Sequence, residues 1–165
     1  MLSGEHPNHA WIAANTNPDD VSGTLSDALR GADVFLGVSA PDILTEADVE
    51  SMAPDSIVFA MANPVPEIDP DIAARHAAVV ATGRSDFANQ INNVLVFPGV
   101  FRGLIDSGVS HVDIDVLLAA ADALADVVHE DERNATYIIP SVFHPEVSTV
   151  VAEAVKAAVA AREVA

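Results

Sequence analysis

Three short apolar runs constrain this chain more than anything else in it: "DVFLGV" (33–38), "SIVFAMA" (56–62) and "AAVVATG" (77–83). Each has the length of one strand and is apolar throughout, the pattern of a strand buried on both faces of a parallel sheet. They begin at residues 33, 56 and 77, which leaves room for one short helix in each crossover and predicts successive βαβ units. The connectors supply those helices. In "LTEADVESMAP" (44–54) Thr45 stands as an N-cap with Asp48 three residues on, and a proline closes the stretch. In "DPDIAARHA" (69–77) Asp69 precedes Pro70, an N-cap and N1 pair. "TLSDALRGA" (24–32) reads as a further short helix ending at Gly31.

Beyond residue 91 the pattern changes to longer helices. "NNVLVFPGVFRGLIDSG" (92–108) reads as helical from Asn92 or Pro98. "DIDVLLAAADALADVVHEDE" (113–132) carries apolar residues at 114, 117, 118, 121, 124, 125 and 128, one stripe of an amphipathic helix. "HPEVSTVVAEAVKAAVAARE" (144–163) places Pro145 at a helix start, and "TYIIPSVF" (136–143) reads as a last short strand or an extended segment. The expected fold is α/β: a partial Rossmann-like doubly wound parallel sheet followed by C-terminal helices. Residues 1–15 are poorly defined, 16–91 form βα units and 92–165 are mainly helical.

Composition narrows the function. At 165 residues with 50% hydrophobic content, the chain can bury an ordinary core as one domain. Its 25 acidic and 7 basic residues give a net charge of −18, a field that repels phosphate backbones, so no nucleic-acid partner is expected. An anionic ligand would need local positive potential from a helix N-terminus or from Arg84 and Arg102. Cysteine is absent, which removes disulfides, thiolate nucleophiles and cysteine–zinc sites. No apolar run is long enough for a membrane span or signal peptide, so no membrane association and a cytoplasmic location are expected. The histidines, His6 and His9 near the terminus among them, are scattered without metal-ligand spacing, and no metal site is expected from them.

Ligands of parallel sheets bind outside the C-terminal strand ends. The three runs end in "VSAP" (38–41), "ANP" (62–64) and "GRSD" (83–86), which put Ser39, Asn63 and the Gly83-Arg84-Ser85 turn at that edge. Asn–Pro and Ser–Ala–Pro are also ordinary turn formers, and Asn92 could simply cap a helix. Yet Asn89, Gln90, Asn92 and Asn93 in "NQINN" exceed what one helix start requires. A side-chain amide both donates and accepts, so it can hold a carboxylate and a carboxamide without adding charge. That chemistry suits a hydroxy acid beside a nicotinamide. No glycine-rich GxGxxG turn or Walker loop accompanies it.

"GADVFLGVSAPDILTEADVESMAPDSIVFAMANPVPEIDP" followed by "ATGRSDFANQINNVLVFPGVFRG" closely resembles the bacterial malic enzymes, from about Thr16 to the end. The resemblance implies the later part of that family's NAD(P)-binding domain and a role in oxidative decarboxylation of malate to pyruvate and CO₂. It implies that Asn63 lies near the nicotinamide ribose, that Asn93 binds the malate carboxylate and that Asn92 stands beside it at the cofactor. Ser39 and Ala40 of "GVSAP" would pass the adenosine side, and Gly83, Arg84 and Ser85 would shape the nicotinamide pocket. Ala88 stands where the family commonly has proline.

The family's acid–base tyrosine and lysine, and the carboxylates that hold Mg²⁺ or Mn²⁺, come from an earlier region. Neither Tyr137 nor Lys156 matches those positions, so no catalytic residue and no turnover are expected of this chain alone. Met1 would be an internal methionine of a longer frame. NAD or NADP would be the cofactor, and the partner would be a second copy in a dimer or a separate N-terminal portion. Two other readings stay open: a non-catalytic nucleotide-binding or docking module, and a piece of another α/β dehydrogenase such as those acting on amino acids. A sheet lacking its first strands would also expose hydrophobic edges that favour association.

Overall fold

The computed structural model describes residues 7–109 and 111–163; His6 lies outside them. The three apolar runs form the sheet. β1 (Val34–Gly37), β2 (Ile57–Ala60) and β3 (Val79–Thr82) are all parallel, in the order β1-β2-β3, with Gly37 opposite Ala60 and Ala60 opposite Thr82. Each strand is shorter than its apolar run because the ends carry the turns.

Helix α1 (Pro7–Asn15) lies in a stretch to which the sequence assigns no element. α2 (Leu25–Leu29) and α3 (Glu46–Glu50) each begin at a complete capping box, Thr24 with Asp27 and Thr45 with Asp48. In both, the threonine hydroxyl accepts the third helical N–H while the aspartate accepts the N-cap N–H, so two orphan donors are satisfied at once. α4 (Pro70–Ala73) starts from Asp69, which accepts the Asp71 N–H, with Pro70 at its first position.

Successive crossovers that step in one direction across a sheet leave their helices on one face, given the fixed hand of such connections. Leu29 of α2, Val49 of α3 and Ala73 of α4 accordingly share one core with Phe35, Val58 and Ala60 of the strands. The expectation that the strands are buried on both faces is not met. Val34 and Leu36 point the other way and are 52% and 62% exposed, because no described element packs there.

The second core is helical. After a 3₁₀ turn (Asn93–Leu95) come α5 (Phe97–Asp106), α6 (Ile114–Asp126) and α7 (Val147–Glu163). α7 starts two residues after Pro145 rather than at it, and the 136–143 segment forms turns rather than a strand. Val151 and Val155 of α7 are fully buried. They face Gly99 and Gly103 of α5, where an added Cβ would sit 2.6 and 2.7 Å from their Cβ atoms. Glycine at successive turns therefore sets the interhelical distance. The stripe expected of α6 and the residues just after it is buried only in its later part, where Leu124 packs on the core and Val128 is buried. Val116 and Ala120 face the core, while Ile114, Leu117 and Leu118 are half or more exposed. Two apolar faces were available on this helix, and packing against α7 selects the one with the smaller residues.

Candidate functional site

Parallel pairing brings the ends of β1, β2 and β3 to one edge. The backbone N–H of Met61 donates to Gly37 O at 3.0 Å, so the first two strands stay paired just past their ends. From there β1 releases Val38, Ser39 and Ala40, and β2 releases Ala62 and Asn63, whose peptide to Pro64 is cis. At β3 the chain leaves through Gly83, Arg84 and Ser85 and returns, with the N–H of Ile91 donating to Thr82 O at 2.8 Å. That return sets Asn92 and Asn93 at the same edge. The sequence-predicted residues are therefore gathered at one side of the sheet.

They do not all line one cleft. A polar cleft of about 510 Å³ is bordered by Ser85, Gln90, Asn92, Tyr137 and Ser141. A more apolar one of about 390 Å³ is bordered by Asn92, Asn93, Leu95, Leu117 and Leu124. Asn92 is common to both, and its Oδ1 accepts the Val94 N–H at 3.0 Å, which is N-capping of the 3₁₀ turn. Asn63 lines neither cleft. Asn63 and Asn93 are exposed, and neither side chain makes a hydrogen bond among the described residues. Ser39 and Ala40 are also exposed. A Cβ at Gly83 would meet nothing within 4 Å, so packing gives no reason for that glycine.

The four amides divide by role. Asn89 is 5% exposed, and its side chain donates to Val80 O at 3.0 Å and Ala135 O at 2.8 Å while accepting the Ile138 N–H at 2.9 Å. Every one of these bonds is internal, so Asn89 is a clamp that ties the β3 exit to the 135–138 segment rather than a ligand group. Its φ of 54° is a left-handed conformation that asparagine tolerates better than most residues.

The local positive potential expected of Arg84 and Arg102 is offset in place. Arg84 Nε donates to Asp86 at 2.9 Å, and its guanidinium lies 4.7 Å from the Phe87 ring centroid. The Arg84 hydrogen bond holds the Asp86 carboxyl below its ordinary range, and Asp86 raises Arg84 in return. Arg102 Nε pairs with Asp106 at 2.9 Å. Among the described residues no cluster of histidine, aspartate or glutamate side chains could hold a metal ion, and no helix is long and apolar enough to cross a membrane.

One residue at this edge escaped the sequence reading. Glu67 is fully buried. Its Oε1 accepts the Ser39 N–H at 3.0 Å and lies 3.5 Å from the Ser39 hydroxyl, while Oε2 accepts the Ala62 N–H at 2.9 Å. The signal was present as an acid set between Pro66 and Ile68 with no basic residue nearer than Arg75.

The family model described as "Malic enzyme, NAD binding domain" matches residues 8–160. The NAD-dependent malic enzyme of Geobacillus stearothermophilus is 58% identical over 151 residues, 92% of this chain and 32% of that protein. The NADP-dependent malic enzyme of Escherichia coli is 40% identical over 172 residues, 94% of this chain and 23% of that protein. The crystal structure of malic enzyme from Pyrococcus horikoshii superposes with a TM-score of 0.88 at 40% identity, over 96% of this chain and 37% of that one. The chain thus spans a third or less of the length of these curated relatives.

Proposed function

Because the chain belongs to the family of the malic enzyme NAD-binding domain, we propose that its strand-end amides hold the nicotinamide end of NAD or NADP beside malate. The reaction served is oxidation of malate at C2 followed by loss of CO₂ to give pyruvate. The observation that supports this reading is the pair of exposed amides, Asn63 and Asn93, whose side chains make no hydrogen bond among the described residues. Asn63 follows the end of β2, and Asn93 follows Ile91, whose N–H donates to Thr82 O of β3.

The residues fit part of the dinucleotide. A side-chain NH₂ can donate to a substrate carboxylate or ribose hydroxyl, and its C=O can accept from a carboxamide. Open space at Gly83 admits close approach of a planar ring. Nothing in the chain offers a glycine-rich cradle for the pyrophosphate. A nicotinamide held there would supply the acceptor for the hydride from malate C2. Asn93 orients the acid through its carboxylate and Asn63 fixes the ribose, while Ser85 and Asn92 border the neighbouring cleft. The described residues do not fit a divalent metal site, and no step is assigned to one.

Loss of the C2 hydroxyl proton needs a base. Carboxamides do not titrate near neutral pH, so the amides position and do not transfer protons, and Lys156 on α7 is paired with Glu153, its ammonium 2.9 Å away. Titration of the chain with NAD⁺, NADP⁺ and malate tests this, read by the side-chain amide resonances of Asn63 and Asn93. Asn63 moves on dinucleotide addition, Asn93 moves when malate is added to that complex, and no NADH forms from malate. Nucleotide that moves neither resonance, or steady NADH production by the chain alone, would defeat the reading.

A second reading has its own observation. Val34, Leu36 and Val38 leave an apolar face on β1 at 52%, 62% and 73% exposure, and β1 has a neighbour on one side only among the described residues. That face suits docking of another α/β segment, whose addition would remove the exposed area from water.

A further inference from the structure

The geometry points to Glu67 as a positioning residue that sets the separation of the Ser39 and Asn63 loops at the nucleotide edge. The inference rests on the dinucleotide reading for its purpose, though not for its structural half. The N–H groups of Ser39 and Ala62 lie beyond the last paired residues of β1 and β2. Neither finds a backbone acceptor among the described residues, and both donate to the same carboxylate.

A carboxylate is the one side chain that accepts at both of its oxygens, so it can bridge two donors facing each other across a gap. Burying it without a cation is costly unless its oxygens are hydrogen-bonded. The fold makes further room for it: a Cβ at Gly37 would lie 2.5 Å from Glu67 Oε1. The backbone of the same segment adds to the tie, since Leu44 N–H donates to Glu67 O at 2.9 Å and Asp42 N–H to Pro66 O at 3.1 Å. The loop after β1 is thereby fixed to the segment after β2 at both ends. A residue that serves the core alone would not need to reach the two loops that carry Ser39 and Asn63.

Glu67→Gln discriminates. The amide keeps one acceptor but turns an NH₂ toward the other N–H donor, so one bridge bond is lost while volume is kept. The full chain is read by amide hydrogen exchange and by NAD⁺ titration. In the unaltered chain Ser39 and Ala62 are protected although they lie outside the strands. In Glu67→Gln at least one of them exchanges about tenfold faster, the Asn63 side-chain resonance moves, and Val58 and Val151 keep their protection. NAD⁺ affinity falls about tenfold and the melting temperature by a few degrees, on the order of one buried hydrogen bond, and Glu67→Asp restores neither, being too short to span.

Ser39 and Ala62 amides that exchange freely in the unaltered chain would overturn the bridge with no variant needed. Equal NAD⁺ affinity in Glu67→Gln would overturn its role at the site. Protected amides in a chain that binds no dinucleotide would support the bridge and count against the dinucleotide reading instead.

Discussion

The sheet half and the helical half of this molecule are held together by different physics. In the helical half, α5 and α6 pack on α7 through small residues and valines, with Gly99 and Gly103 letting the helices approach. The sheet half also has an apolar core, but its organisation depends on carboxylates. Asp27 and Asp48 complete capping boxes, Asp69 caps α4, and Glu67 bridges two strand ends. The helical half is thus chiefly a packing problem, with a single capping carboxylate among its described residues, Asp113, which accepts the Val116 N–H and pairs with Arg162. The sheet half is a hydrogen-bonding problem at its ligand-facing edge, and the candidate site lies where the two meet.

Asn89 joins them, and removing it should have the largest effect. Asn89→Ala strands Val80 O, Ala135 O and the Ile138 N–H at a site that is 5% exposed. With about 1–3 kcal/mol for a buried group left without a partner, and relaxation offsetting some of it, the expected cost is about 3 kcal/mol. Asn89→Gly loses the same bonds but accepts the positive φ, so it should cost about 1 kcal/mol less. Chemical denaturation followed at Trp11 and Tyr137, with exchange at Ile138, reads both. An Asn89→Ala chain as stable as the parent would show that the two halves do not depend on this clamp.

The next effect separates the halves by volume. Gly103→Ala puts a Cβ 2.7 Å from Val155 Cβ and 2.8 Å from Ala152 O, and backbone on the far side cannot turn away. Overpacking of roughly 1–3 kcal/mol exceeds the helix-propensity gain of up to about 1 kcal/mol, so a net loss of about 1–2 kcal/mol is expected. Gly83→Ala meets nothing within 4 Å and should stay within about 0.5 kcal/mol of the parent while weakening NAD⁺ binding. Paired thermal melts and titrations of the two variants check both statements. Equal melting temperatures would mean that α5 and α7 can slide apart without cost.

The elements that could be read from sequence are those set by local chemistry. Thr45 with Asp48 and Asp69 with Pro70 define helix starts over three or four residues, and the apolar runs define strands, so these were legible. What depended on a distant partner was not. Ile114, Leu117 and Leu118 form as good a stripe as Val116 and Ala120, and only the presence of α7 decides which is buried. Asn89 and Asn93 are the same residue type four positions apart, yet one is consumed by the 135–138 segment and the other is left exposed. Glu67 was overlooked because its donors, Ser39 and Ala62, come from two separate strand ends. Family resemblance carried the site assignment further than residue chemistry alone, which left structural and ligand roles for the amides side by side.

The smallest effect tests whether the sheet half is the acid-sensitive one. Asp48 is 7% exposed; a hydrogen bond from the Ser26 side chain, then those from Thr45, hold its carboxyl below the ordinary range despite burial. A depressed folded pKa means that the unfolded chain takes up the proton first. The added stability is therefore complete above the unfolded value, near 3.9, and is lost as pH falls through the lower folded value. Asp48→Asn removes the titrating charge and weakens the capping box, at a cost of about 1 kcal/mol at neutral pH. Its stability should then change less steeply below pH 4 than the parent's. Exchange at Val49 and Val155, followed from pH 6 downward, compares the halves directly. Protection should fall first at Val49 in the parent, and the lag between the two sites should shrink in the variant. Simultaneous loss at both sites in the parent would mean that the halves unfold as one unit, with the carboxylate network giving the sheet no separate sensitivity to acid.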